Sequence, residues 1–340
     1  MRRLSRRQFL IAMGTATTGF LAGCARKTLR VSAPASRETW ITPNDRFYRQ
    51  QYYFGVPRVD MTKWQLVIDG LVKKPLILEP DNLGSFKPVE AVRTLECLGN
   101  RVGGEQIGNA VWQGFWFKEL LDQVGVDPRA TRARFEALDG YTTALDVAWL
   151  TQPSVLMATG MNGEPLPLAH GHPVRLVVPG LHGQKMTKWI TRIEFIDHDY
   201  KGFWESLGWS DIAAVKTHSM ILTPASGDVI KLPFEVSGIA WAGKRRITRV
   251  EVGIDQDWRE AELVRGESTF TWVQWYFTLE STRSGPGRHT LRVRATDETG
   301  FTQHAPSDWL DNISVYPFSS ISSYPDGTDQ IHSIQIDVGD

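Results

Sequence analysis

A change of hydrophobic period is what most restricts the fold of this chain. From Thr217 onward apolar residues alternate with others, as in Ile230, Leu232, Phe234 and Val236, in Val250, Val252 and Ile254, and in Leu291, Val293 and Ala295. A repeat of two sends successive side chains to opposite faces of a strand, so each run buries one face and wets the other. Turn-forming clusters, Ser226-Gly227-Asp228 and Ser284-Gly285-Pro286-Gly287, separate the runs. Short alternating strands between such turns predict a β-sandwich of about 100 residues, placed over 217–318. Residues 319–340 read as a polar tail in which Ile331–Val338 adds an edge strand.

Upstream the pattern is mixed. Strand-like runs at Trp64–Asp69 and Val92–Cys97 precede a helix signalled by Phe117, Leu120, Leu121 and Val124, spaced i, i+3, i+4, i+7 and closed by Gly125. Further strands are expected at Val174–Val178 and Trp189–Ile196, around a glycine-containing loop from Pro179 to Lys188. The fold class is therefore α+β: a mixed domain over 44–206, a seam within 206–217, then the sandwich. With 340 residues, 41% of them apolar, the chain has material for two buried cores. Its 38 basic and 38 acidic side chains balance and no lysine-rich run occurs, which argues against a nucleic-acid partner.

Residues 1–23 have the composition of an export signal: a basic start, an apolar run from Phe9 to Leu21 broken by Gly and Thr, and small residues before Cys24. The run falls short of the roughly 20 apolar residues that a spanning helix needs. Ser5-Arg6-Arg7-Gln8-Phe9-Leu10 resembles the twin-arginine export motif, and Leu21-Ala22-Gly23-Cys24 resembles a lipobox. Removal of the leader takes Arg2, Arg3, Arg6 and Arg7 and leaves the remainder mildly acidic. A lipid on Cys24 would hold the protein on a membrane surface, in the periplasm or at the cell surface, with residues 24–43 as a tether. It would also deny Cys97 a disulfide partner, since these are the only two cysteines.

Cys97 closes a strand-like run and is followed by Leu98-Gly99-Asn100-Arg101 and then Gly103-Gly104. Thiolate is a soft ligand for transition metals, and an adjacent glycine lets the backbone approach a bulky group. A lone cysteine is equally well a buried structural residue. His170-Gly171-His172, with His182 or His198, offers imidazoles for zinc, but only the H-x-H pair is local, and Gly171 and Pro173 argue for a loop. No G-x-S-x-G elbow, C-x-x-C-H haem site or G-x-G-x-x-G fingerprint is present. Any electrons would therefore leave to a partner.

Several stretches together resemble the sulfite oxidase family of molybdopterin oxidoreductases. They are residues 42–51 (TPNDRFYRQQ), 94–104 (TLECLGNRVGG), 107–121 (IGNAVWQGFWFKELL), 161–189 (MNGEPLPLAHGHPVRLVVPGLHGQKMTKW) and 198–203 (HDYKGF). The sandwich, with GIAWAG at 238–243 and RVRATD at 292–297, resembles the family's immunoglobulin-like dimerisation domain. The resemblance implies Cys97 as the thiolate ligand of a molybdenum carried by one molybdopterin. Phe47, Tyr48, Arg49, Gln50 and Gln51 would contact the cofactor, and Asp139, His170, Arg175, Met186, Thr187 and Lys188 match positions that hold the pterin and its phosphate. Arginine and lysine suit a phosphate as fork and point charge. Tyr200 resembles the family's active-site tyrosine and Arg49 a substrate-pocket arginine, with Tyr141 a weaker pocket candidate.

The implied activity is oxygen-atom transfer to or from a small substrate, sulfite or another small oxyanion or a sulfoxide. Electrons would be exchanged with an external carrier such as a c-type cytochrome, and the protein would form a homodimer. Family members that oxidise sulfite carry a second arginine where this chain has Val102, and Gln50 and Gln51 stand where they have Asn and His. Fewer cations weaken a pocket for a dianion such as sulfite. The competing expectation is a non-catalytic surface lipoprotein whose thirteen tryptophans anchor a ligand or protein partner.

Overall fold

The computed structural model describes residues 40–52, 55–255, 257–304 and 323–339. The leader, Cys24 and the tether as far as residue 39 lie outside the described residues. In the first half, β1 (Leu66–Gly70), β2 (Leu76–Leu78), β3 (Val89–Glu96) and β4 (Ile107–Trp116) lead into helix α1 (Phe117–Val124). Then come β5 (Arg132–Ala137), β6 (Thr142–Asp146), the short helix α2 (Val147–Leu150), β7 (Leu156–Met161), β8 (Glu164–Pro165), β9 (Arg175–Val177) and β10 (Ile190–Ile196). They build two sheets, one in the order β2-β1-β10-β5-β6 and one in the order β3-β4-β7-β8, with β9 also paired to β7.

Helix is scarce because nearly all neighbouring strands are antiparallel and need no helical crossover, yet α1 forms where the spacing predicts it. Phe117, Leu120 and Val124 face the core, and Gly125, in the left-handed conformation, donates its N–H to Leu121 O. β1 starts two residues later than expected because Trp64 closes a turn onto Asp60 O. It ends on Gly70, where a Cβ would stand 2.3 Å from Phe195 O of the parallel partner β10. Trp64, Leu66, Ile68, Phe115, Phe117, Phe135 and Ile193 belong to the apolar cluster on which this half folds.

The second half is all strand: β11 (His218–Thr223), β12 (Val229–Ile230), β13 (Phe234–Trp241), β14 (Ile247–Ile254), β15 (Asp257–Glu260), β16 (Glu262–Arg265), β17 (Val273–Leu279), β18 (Gly287–Asp297) and β19 (His332–Val338). Their sheets run β11-β13-β17-β16 and β12-β19-β18-β14-β15. The alternating run from Ile230 to Val236 is interrupted at Pro233 and feeds both sheets, β12 in one and β13 in the other. β19 is not an edge strand: it lies between β18 and the two-residue β12 and is paired on both sides. Ile334, Ile336 and Val338 on it join Val236, Val252, Trp275 and Leu291 in the sandwich core.

Among the described residues the sandwich is fastened to the first half at several places. Thr94 N–H donates to Phe270 O at 3.0 Å and Thr94 Oγ1 accepts from Trp272 N–H at 2.9 Å. Residues 180–182 run beside 213–215, with Val215 N–H on Gly180 O and His182 N–H on Ala213 O. Lys244 reaches Gln152 Oε1 at 3.0 Å and lies over the Trp149 ring.

Candidate active site

Cys97 stands one residue beyond the end of β3, its N–H bonded to Gln106 O at 2.9 Å. Asn100 shapes the loop by donating Nδ2–H to Glu96 Oε1 at 2.8 Å and accepting the N–H of Gln106 on Oδ1 at 3.0 Å. The Cys97 residue is half-buried, and burial pushes its thiol up to about 11, with the Gly99 N–H opposing and the Glu96 charge adding. An isolated thiol here stays protonated at neutral pH. Only a strong local positive charge, as from a coordinated metal, would make it a thiolate.

Two phenols, Tyr48 and Tyr141, would feel a thiolate at Cys97. Both are held well above the ordinary tyrosine range, first by burial; Cys97 then adds at Tyr48 while Arg175 opposes, and at Tyr141 the Glu205 carboxylate adds most. The 47–51 strip joins the Cys97 loop to a second group of residues. Phe47 stacks on Tyr48 at 5.3 Å and meets Trp112 and His170 edge-on. Arg175, buried in β9, lies over the Trp112 ring and donates to His170 O at 3.1 Å and Met186 O at 3.4 Å. His170 Nε2 donates to Asn44 O at 3.1 Å, and Lys188 Nζ to Ala169 O at 3.2 Å.

This group is overcharged. Burial, then Arg175, with Asp139 opposing and Arg49 adding, pushes Lys188 down to about 7. Burial and the same cations hold His170 down to about 4, and burial takes Arg175 down to about 10. The half-buried Asp139 carboxyl, raised by burial, opposes them. Arg175 Nε and Thr187 Oγ1 are buried without a hydrogen-bond partner. Unmet donors in a cationic pocket are the features that an anion with several oxygens satisfies.

The structure therefore gathers Phe47, Tyr48, His170, Arg175, Met186, Thr187 and Lys188, with Arg49 exposed at the margin and Asp139 beside Lys188. Gln50 ties this strip to the Cys97 loop by accepting from Gln106 Nε2 at 3.2 Å, and Gln51 follows half-buried. Tyr200 Oη donates to Thr142 Oγ1 at 2.9 Å, one residue from Tyr141, and its ring lies under Arg134. These contacts place it on β6 and β5.

Two arrangements escape sequence reasoning. Lys185 and Glu205 form a fully buried pair beneath the 183–188 loop. Behind Cys97, Glu96 faces His182 at 3.7 Å and His218 at 3.3 Å, and burial holds His182 down to about 3. Nothing in the local pattern signals either, because the partners come from different segments. Among the described residues no group of three or more His, Cys, Asp or Glu side chains is disposed to hold a metal ion.

Comparison with known proteins gives a consistent set of likenesses. Residues 53–204 match the family model described as an oxidoreductase molybdopterin binding domain, and residues 210–315 match that of a Mo-co oxidoreductase dimerisation domain. Mitochondrial sulfite oxidase of Rattus norvegicus is 34% identical over 288 residues, covering 71% of this chain and 52% of the relative. NADH nitrate reductase of Hordeum vulgare is 27% identical over 337 residues, covering 79% of this chain and 37% of the relative. The solved sulfane dehydrogenase SoxCD of Paracoccus pantotrophus superposes with a TM-score of 0.68 at 26% identity, over 79% of this chain and 75% of that one. The chain spans about half the length of the sulfite oxidases it matches.

Proposed function

Because the chain belongs to the sulfite oxidase family of molybdopterin oxidoreductases, we propose that it is a redox enzyme that moves an oxygen atom between water and a small substrate, with one molybdenum–molybdopterin group held at Cys97. The observation that carries this reading is that the 47–51 strip joins a half-buried thiol's loop to a cation cluster with unmet donors, Gln50 accepting from Gln106 and Phe47 meeting His170 edge-on. The donor set suits the group: a soft sulfur for the metal, Arg175, Thr187 and Lys188 for a phosphate, and His170, Asp139, Met186 and the 47–51 strip for the pterin.

When bound, the molybdenum centre supplies the two-electron redox chemistry. In balance, substrate and water give the oxygenated product, two protons and two electrons, or the reverse. Electrons pass singly to or from an external carrier such as a c-type cytochrome. Arg49, exposed beside the cluster, draws an anionic or strongly dipolar substrate inward. Tyr200 orients the substrate and passes a proton. Tyr48 stays protonated and so is available as a hydrogen-bond donor, while Tyr141 keeps its proton on Gln184 O. Substrate candidates are sulfite, another small oxyanion or a sulfoxide, and Val102 in place of a second arginine favours the less charged ones. Export by a twin-arginine signal, a lipid on Cys24 and dimerisation through the sandwich complete the reading. No helix among the described residues is long and apolar enough to cross a membrane.

The test is elemental analysis and pterin fluorescence on the protein exported from its native host, beside a Cys97→Ser variant. About one molybdenum per chain in the parent and far less in the variant is expected. A parent without molybdenum overturns the reading and leaves the binding lipoprotein. Adding sulfite, or sulfoxides after reduction, then identifies the substrate class: a loaded protein that sulfite fails to reduce keeps the oxygen-transfer assignment and loses sulfite.

A further inference from the structure

The loop that carries Met186, Thr187 and Lys188 opens with a short 3-10 turn, Gly183–Lys185, too small to fix its own position. Its anchor is Lys185, whose ammonium is fully buried. Nζ meets Glu205 Oε1 at 2.5 Å, Ala144 O at 3.0 Å, Thr143 Oγ1 at 3.2 Å and Asp211 Oδ1 at 3.5 Å. Glu205 Oε1 also accepts from Thr143 Oγ1 at 2.6 Å and from Gln184 Nε2 at 3.0 Å. One ion pair therefore joins three stretches distant in sequence: β6, the cofactor loop and the 205–211 turn. The same loop takes a further bond from the other side, since Tyr141 Oη donates to Gln184 O at 2.7 Å.

Stability alone does not call for such a pair. Burying two charges consumes most of what their attraction returns, and apolar or neutral replacements of both partners are commonly tolerated. What a neutral core would lose is direction: ammonium and carboxylate fix the loop at one point relative to β6. We infer that Lys185 and Glu205 are positioning residues for the cofactor site, setting Thr187 and Lys188 against Arg175 and holding Gln184 where the Tyr141 phenol bonds to it. The inference rests on the proposed molybdopterin assignment and adds to it residues that touch neither metal nor pterin.

The test measures molybdenum and pterin per chain after gel filtration, together with thermal unfolding of the cofactor-free form, for full-length protein made in a host that supplies molybdopterin. Lys185→Met with Glu205→Gln leaves no unpaired ammonium and keeps an acceptor for Thr143 and Gln184. It should melt within about 5 °C of the parent, yet retain less than about one fifth of the parent's molybdenum, a loss of the size seen for residues that orient a metal's ligands. Lys185→Arg should load within about twofold of the parent. A double variant that melts and loads like the parent overturns the inference, reducing the pair to packing. Should that variant melt early, Lys185→Gln with Glu205→Gln, also free of an unpaired charge, decides at a temperature where it is folded: depleted molybdenum supports the inference, and full loading overturns it. A parent without molybdenum sinks the underlying assignment as well, and so is distinguishable from failure of the clamp alone.

Discussion

At the scale of single residues, Lys188 shows how the site's charge becomes measurable. In the cofactor-free fold its ammonium is pushed down from the usual 10.5 to about 7. Between these values the unfolded chain holds a proton that the folded chain has released, so this residue's share of stability rises with pH across that window. An anion bound there recharges the lysine and takes up a proton. Binding of inorganic sulfate to the cofactor-free protein should therefore weaken from about pH 6 to about pH 9, with proton uptake seen by calorimetry in buffers of different ionisation heat, and Lys188→Gln should abolish the uptake. Arg175→Met should lower retained molybdenum at least about tenfold, since it removes the guanidinium that bonds to both His170 O and Met186 O. Cys97, Arg175 and Lys188 could be named from the sequence because they fall within motif stretches of fixed spacing. Lys185 and Glu205 could not: one is an ordinary polar residue in a loop, the other stands near a domain seam, and only the fold sets the first against β6, more than 40 residues upstream.

At the scale of elements, periodicity reports which face is buried and is silent on which strands are neighbours. The i, i+3, i+7 spacing of Phe117, Leu120 and Val124 located α1 because a helix makes its hydrogen bonds within itself. Phe117→Ala should cost about 3–5 kcal/mol in denaturant titration, as the side chain is completely enclosed. β19 illustrates the limit. Its alternation reveals a half-buried strand, yet its place between β12 and β18 depends on pairings with residues as distant as Val229. Ile336→Ala, in the sandwich core, should cost about 2–5 kcal/mol, whereas a true edge position of the same burial would tolerate it no better but would survive proline at its open side; proline at Asp337, whose N–H bonds to Asp228 O at 3.0 Å on the β12 side, tests the pairing directly.

At the scale of the molecule, the two halves meet through main-chain bonds at Thr94 and at 180–182, so the loop that continues into 183–188 is held by the linker and rests near the sandwich. Heat should unfold both halves together, and a single calorimetric transition is the expected outcome. The chain mass is 38.3 kDa, and a dimer formed through the sandwich should sediment at about twice that value. Val102→Arg, restoring a cation beside the Cys97 loop, should raise sulfite kcat/KM by roughly tenfold relative to a neutral sulfoxide, which steady-state kinetics with both substrates would reveal.

The pairing of Val229 and Ile230 with Asp337 and Val338 carries a consequence for biosynthesis. A nascent chain that has finished β12 must wait for about a hundred more residues to be translated before the strand that flanks it exists, and contacts of such span form slowly. Until then β18, already paired to β14, has its other edge open to other chains. A chaperone that shields that edge during translation would raise the yield of native protein more than one acting on the α1 region.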